Sequence, residues 1–75
     1  MALTLEQIRT DVAVALGEDA ADIPFDENLV DYGLDSVRIM ALLVRWRRDH
    51  DITADFADLA EQPAIEAWAS KLGVA

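Results

Sequence analysis

Asp31-Tyr32-Gly33-Leu34-Asp35-Ser36-Val37 is the stretch from which the fold is read. It stands between a long acidic segment and an apolar, helix-forming one. Gly33 lets the chain turn sharply, because glycine takes left-handed backbone angles without a steric penalty. Leu34 is placed to anchor that turn in a core. Asp35 is a favoured N-cap residue, so a helix is predicted to begin at Ser36. The Ser36 hydroxyl then sits at a helix N-terminus, where unpaired N–H groups and a partial positive charge favour an anion. A phosphate there would gain about 0.3–1 kcal/mol. Asp35 opposes it by like-charge repulsion, so the turn is no simple phosphate trap. On these residues alone, an ordinary capped helix start and a modification site both stand.

Outward from the turn, the rest of the chain reads as helix. Thr4 followed by Gln7 is a capping-box pattern. Leu5, Ile8, Val12 and Leu16 then recur at helical spacing, with Gly17 as a stop. Residues 17–35 carry no sustained period, yet Ile23, Phe25, Leu29, Val30 and Leu34 are interspersed there. Such a connection is predicted to pack on the core, and loops of this length are often functional. In the helix from Ser36, Val37, Met40, Leu43, Val44 and Arg47 are grouped on one side. Arg38, Arg45 and Arg48 lie mostly elsewhere, and the end is expected near Asp49 to Asp51. Asp55 is placed to cap a short third helix carrying Phe56, Leu59 and Ala60. Pro63 suits the first turn of a last helix with Ile65, Trp68 and Leu72 on one face and Gly73 after it. No strand alternation, repeat or low-complexity tract interrupts this. The predicted architecture is all-α: one domain over residues 1–75, a small four-helix bundle with a long first connection and a short third helix. Helices of this length are marginal alone, so packing must hold them.

Composition narrows the function classes. A domain of 75 residues buries only about 60% of its unfolded surface, which leaves little room for a catalytic cleft. Hydrophobic residues make up 53%, enough for a core and too many for a disordered segment. Thirteen of them are alanine, so that core must rest on Leu, Ile, Val and the aromatics. There is no cysteine, hence neither a disulfide nor a thiol of the chain's own. No apolar run approaches the roughly 18 residues of a membrane span, and no charged-then-apolar signal sequence opens the chain. Fifteen acidic residues against six basic give a net charge of −9, which repels a nucleic-acid backbone. Arg45-Trp46-Arg47-Arg48 is one short basic cluster on that acidic background and reads as a solvated helix face. A serine hydrolase would need a base. His50 is the only histidine, and it lies about 21 Å along the same helix from Ser36. Asp26, Asn28 and Asp31 hint at calcium, but Asp31 and Val37 stand where an EF-hand loop requires Gly and Glu. No metal site is assigned.

Gly33-Leu34-Asp35-Ser36-Val37, after an acidic connection and before an apolar helix, resembles the attachment motif of phosphopantetheine carrier proteins. The likeness extends over essentially the whole chain. Phe56, Leu59, Pro63, Ile65 and Trp68 match the family's aromatic–leucine pair, Pro-x-Ile and closing aromatic. The run from Asp26 to Arg38, then Met40 and Arg45-Trp46-Arg47, is similar to aryl carrier domains of nonribosomal siderophore assembly, of the isochorismatase-associated type. Peptidyl carriers usually have a second glycine before the aspartate or histidine, which this chain lacks. Fatty-acid carriers usually have an acidic second helix, whereas Arg38, Arg45, Arg47 and Arg48 make this one basic. Asp51-Ile52-Thr53-Ala54-Asp55 is one residue longer than in the aryl carriers.

The resemblance implies a non-catalytic, monomeric, cytoplasmic domain. Ser36 would carry covalent 4′-phosphopantetheine derived from coenzyme A, with Gly33, Leu34 and Asp35 supporting the motif. A phosphopantetheinyl transferase would attach the arm. An aryl-acid adenylation enzyme would load 2,3-dihydroxybenzoate or salicylate as a thioester, and a condensation domain of a nonribosomal peptide synthetase would remove it. Val37, Met40, Ala41, Phe56 and Ala60 are the implied partner surface, with core packing as the plain alternative. Two other readings stay open: an acyl or peptidyl carrier of a polyketide or other peptide pathway, and a helical interaction module without a prosthetic group.

Overall fold

The computed structural model describes residues 3–74. Four helices follow in order: α1 Leu5–Leu16, α2 Ser36–His50, α3 Phe56–Glu61 and α4 Ile65–Leu72. Among the described residues there is no strand. The Thr4 side chain accepts the Gln7 N–H at 3.1 Å and caps α1, and Gly17, with φ 71°, ends it. α1 runs antiparallel to α2, because Ala15 meets Arg38 while Asp11 meets Trp46.

The core is built on two tryptophans. Trp46 of α2 and Trp68 of α4 are fully buried, and their rings meet edge to face, 5.9 Å between centroids. Each indole N–H is satisfied. Trp46 donates to the Asp11 carboxylate at 2.8 Å, and Trp68 donates to the Leu59 carbonyl at 2.8 Å. Ile8, Val12, Ile23, Leu29, Leu43, Leu59 and Ile65 complete the buried set around them. Asp11 is 3% exposed. Its carboxylate also accepts from Gln7 Nε2 at 2.9 Å and lies 3.9 Å from Arg45, so its buried charge is compensated.

The first connection is packed rather than free. It holds two 3₁₀ turns, Ala20–Asp22 and Leu29–Tyr32. Two backbone hydrogen bonds stitch it to the start of α4: Leu29 N–H to the Pro63 carbonyl at 2.7 Å, and Glu66 N–H to the Phe25 carbonyl at 2.8 Å. Arg9 clamps it to α1, donating to the Ile23 carbonyl at 3.1 Å with its guanidinium 4.7 Å from the Phe25 ring centre. Ile23, Leu29 and Leu34 are buried and Phe25 is half-buried, but Val30 is 53% exposed. Four of the five apolar residues singled out in this stretch therefore pack on the core, and Val30 does not.

Two further expectations are corrected. Val37, Met40 and Val44 do not share their side of α2 with Leu43. They are 76%, 43% and 51% exposed, and Ile39, Leu42, Leu43 and Trp46 are the buried row. Pro63 is not in the first turn of α4, which begins at Ile65 behind the N-cap Ala64. Its carbonyl is spent on the Leu29 N–H instead. The five-residue segment after α2 begins at Asp51, which takes a left-handed φ of 54°. Aspartate tolerates that region better than most side chains, and the turn lets Ile52 N–H reach the Trp46 carbonyl at 3.4 Å.

Candidate functional site

The serine turn is assembled as its residues dictate. The second 3₁₀ turn ends at Gly33, whose φ of 102° is a conformation that disfavours a side chain. Leu34 then drops into the core at 3% exposure, with its N–H on the Leu29 carbonyl at 3.1 Å. Asp35 takes an extended conformation and caps α2, and Ser36 opens the helix exposed to solvent. Upstream, the Tyr32 hydroxyl donates to the Glu27 carboxylate. That hydrogen bond, then slight burial and the charges of Glu27, Asp31 and Asp26, raise the tyrosine's pKa above its ordinary 10.0.

Arg38 organises the electrostatics beside Ser36. Its backbone N–H donates to Asp35 Oδ1 at 2.9 Å, and its Nη1 donates to Asp35 Oδ2 at 2.7 Å. Its Nε donates to the Ala15 carbonyl at the end of α1, 3.0 Å away. The Arg38 N–H foremost, and then its guanidinium charge and hydrogen bond, hold the Asp35 carboxyl below its ordinary value of 3.8. The carboxylate that would repel a phosphate on Ser36 is thus neutralised in place. The sequence places Arg38 only among the basic residues of α2. Its Asp35 partner was legible as an i, i+3 pair of opposite charge, but its reach to α1 was not.

Every other arginine of α2 is also paired. Arg45 lies near Asp11, Arg47 near Asp55 and Arg48 against Asp49, at 3.9, 3.7 and 3.0 Å. Arg9 and Lys71 pair with Glu6 and Glu61. The six bases thus occupy six different acids, which leaves nine of the fifteen with no lysine or arginine partner among the described residues. Six of the nine, Glu18, Asp19, Asp22, Asp26, Glu27 and Asp31, lie in the first connection. The excess negative charge is therefore concentrated ahead of the serine turn. The α2 surface is basic in sequence but nearly balanced in structure.

Of the residues expected at a partner surface, Val37, Met40 and Ala41 are exposed beside Ser36 on α2. Phe56 and Ala60 are on α3, which packs on α2. Both are half-buried and rest partly on the core, so Phe56 is not a free-standing aromatic. A groove of about 670 Å³ opens elsewhere, between Asp26, Pro63 and Glu66, and no residue of the serine turn lines it. Ser36 and His50 occupy opposite ends of α2, so the histidine is no base for the serine. No helix of the described residues is long and apolar enough to cross a membrane.

This geometry fits a covalent prosthetic group: an exposed hydroxyl at a helix N-terminus, a neutralised neighbour, and no thiol in the chain itself. Ser36 is the residue that would hold it. Comparison with known proteins gives the same direction. The chain is 55% identical over 64 residues to phenyloxazoline synthase of Mycolicibacterium paratuberculosis, covering 85% of this chain and 5% of that protein. It is 62% identical over 52 residues to enterobactin synthase component B of Escherichia coli K12, covering 67% and 18% respectively. It is 49% identical over 65 residues to the isochorismatase of Bacillus subtilis 168, covering 87% and 20%. The chain thus spans a fifth or less of the length of these relatives. No solved structure matches it significantly. The profile of the phosphopantetheine attachment site family matches residues 6–72, and the chain belongs to that family of carrier domains, whose prosthetic group is covalent 4′-phosphopantetheine.

Proposed function

We propose that this chain is a single aryl carrier domain of nonribosomal, siderophore-type assembly, with Ser36 as its attachment residue. The observation that carries the reading is the serine turn: an exposed Ser36 at the start of α2, beside an Asp35 whose charge Arg38 already balances. Attachment would join Ser36 Oγ to the β-phosphorus of coenzyme A and break the pyrophosphate bond. 3′,5′-Adenosine diphosphate would leave, and the hydroxyl proton would pass to a base of the transferase. Gly33 and Leu34 fix the turn, Asp35 caps the helix, and the positive end of the α2 dipole would favour the phosphodiester. When bound, the arm supplies the thiol the chain lacks and holds an acyl or aryl group as a thioester. Tethering raises the local concentration of that cargo at each partner.

The aryl assignment is supported by the Asp31-Tyr32-Gly33-Leu34-Asp35-Ser36-Val37-Arg38 run and by the likeness to phenyloxazoline synthase and enterobactin synthase component B. The cargo we assign is 2,3-dihydroxybenzoate or salicylate. The partners are a phosphopantetheinyl transferase, an aryl-acid adenylation enzyme and a condensation domain, in the cytoplasm where coenzyme A is made. Val37, Met40 and Ala41, flanked by Phe56 and Ala60, would form their docking surface.

The test is intact mass after incubation with coenzyme A, Mg²⁺ and a broad-specificity transferase. The wild type should gain one arm, and Ser36→Ala none while keeping its helical circular dichroism. Absence of any gain in the wild type, or modification elsewhere, would sink the carrier reading. Loading of the holo form by a fatty-acid ligase, and not by an aryl-acid adenylation enzyme, would refute the aryl assignment alone.

A further inference from the structure

We propose that Arg38 is a positioning residue for the modification of Ser36, acting through Asp35. The inference rests on Ser36 being the attachment residue. It concerns what happens when a negatively charged phosphorus centre reaches an oxygen whose sequence neighbour is a carboxylate.

Three features of the structure converge on Arg38. Both oxygens of Asp35 are held by this one residue, Oδ1 by its backbone N–H and Oδ2 by its guanidinium. The same guanidinium is anchored at its Nε by the Ala15 carbonyl. That carbonyl belongs to the last turn of α1, where the helix dipole is negative and favours a cation. Finally, Asp35 is the residue immediately before Ser36, and its side chain caps α2. The turn needs a capping side chain and, as a phosphate acceptor, is disfavoured by that side chain's charge left open. A cation pinned between α1 and Asp35 meets both needs. It holds the carboxylate in its capping position and cancels its field at Ser36.

This role differs from simple bracing of α1 against α2. Bracing would also be served by a neutral donor to the Ala15 carbonyl, and it would not depend on ionic strength. Charge cancellation requires a cation, and the repulsion it removes is screened by salt. Arg38→Gln keeps hydrogen-bond donors and removes the charge. Arg38→Lys keeps the charge and loses the planar fork.

The experiment measures kcat/KM for arm transfer from coenzyme A onto this chain, by intact mass, for wild type, Arg38→Lys and Arg38→Gln. Each is assayed at low and at high sodium chloride, with thermal melts alongside. Arg38→Gln should be slower by about two- to fivefold at low salt, the size of an exposed helix-terminus charge effect. The ratio to wild type should close toward one at high salt, and Arg38→Lys should recover most of the low-salt rate. Equal rates for wild type and Arg38→Gln would overturn the proposal. So would a deficit that is unchanged by salt, or one that Arg38→Lys shares in full. Failure of the wild type itself to be modified would remove the attachment reading beneath it, an outcome distinct from all of these.

Discussion

Along α2, Ile39, Leu42, Leu43 and Trp46 are buried, whereas Val37, Met40, Ala41 and Val44 are exposed. Both rows are apolar, and they do different work. The first joins Trp68, Leu59 and Ile65 in holding three helices together. The second leads away from Ser36 along the outside of the helix. Apolar character alone therefore does not separate core from display in a domain this small. Side-chain size does better: the buried row holds the tryptophan, two leucines and an isoleucine, and larger side chains gain more from leaving water.

The sharpest way to break this comparison is to truncate the buried row. Trp46→Ala should cost about 3–5 kcal/mol, as buried aromatic truncations do. A domain of this length has roughly 4–11 kcal/mol in total at typical stability per residue, so much of the folding free energy would go. Urea unfolding by circular dichroism measures it. A loss below about 1 kcal/mol would mean that the two rows are energetically alike.

Asp11 tests the polar anchor beneath that row. Asp11→Ala leaves the buried Trp46 N–H without its acceptor, which should cost about 1–3 kcal/mol. Asp11→Asn keeps an oxygen for the indole and should cost less. Equal losses for the two variants would assign the effect to the carboxylate charge near Arg45 rather than to the Trp46 hydrogen bond.

The exposed row should behave in the opposite way. Val37→Ala and Met40→Ala should each change stability by no more than about 0.5 kcal/mol, yet slow transfer of the aryl group to the condensation partner. Phe56 is half-buried, so Phe56→Ala should fall between the rows, at about 1 kcal/mol, and also slow transfer. Because each arginine of α2 already has an acid, the effects of Val37→Ala and Met40→Ala should depend little on salt. Melting temperature measured beside transfer rate decides. Large stability losses with normal transfer by the folded fraction would move these residues to the core.

Much of this was legible beforehand, and the failures have physical causes. Thr4, Gly17, Asp35 and Asp55 mark helix boundaries because capping is local chemistry, settled by a residue and its next few neighbours. The row Ile39, Leu42, Leu43 and Trp46 keeps i, i+3, i+4, i+7 spacing and could have been read as the core stripe. The exposed row competed with it, and only packing against α1, α3 and α4 decides between two apolar faces. Long-range pairing was illegible altogether. Nothing local tells that Asp11 receives Trp46, that Pro63 serves Leu29, or that Arg38 reaches back to α1. The same blindness made α2 look basic, since its neutralising acids come from elsewhere in the chain as well as from its own ends.

The smallest expected effect concerns the first turn of α2, where the two faces share one cap. The Asp35 pKa is lowered in the folded chain, first by the Arg38 N–H and then by its guanidinium. A carboxyl with a depressed folded pKa adds stability above its unfolded value and loses it as pH falls through the folded one. Asp49, lowered chiefly by its hydrogen bond from Arg48, follows the same sign. The urea midpoint of the wild type should therefore fall as pH is taken from about 7 to about 3. Asparagine is as good a cap as aspartate but has no charge to lose. Asp35→Asn should thus keep a stable helix start and show a smaller fall over that range. Asp49 accounts for remaining slope. If the two proteins fall in parallel, Arg38 holds Asp35 no better in the folded chain than water holds it in the unfolded one. The cap would then contribute geometry and no charge stabilisation to the serine turn.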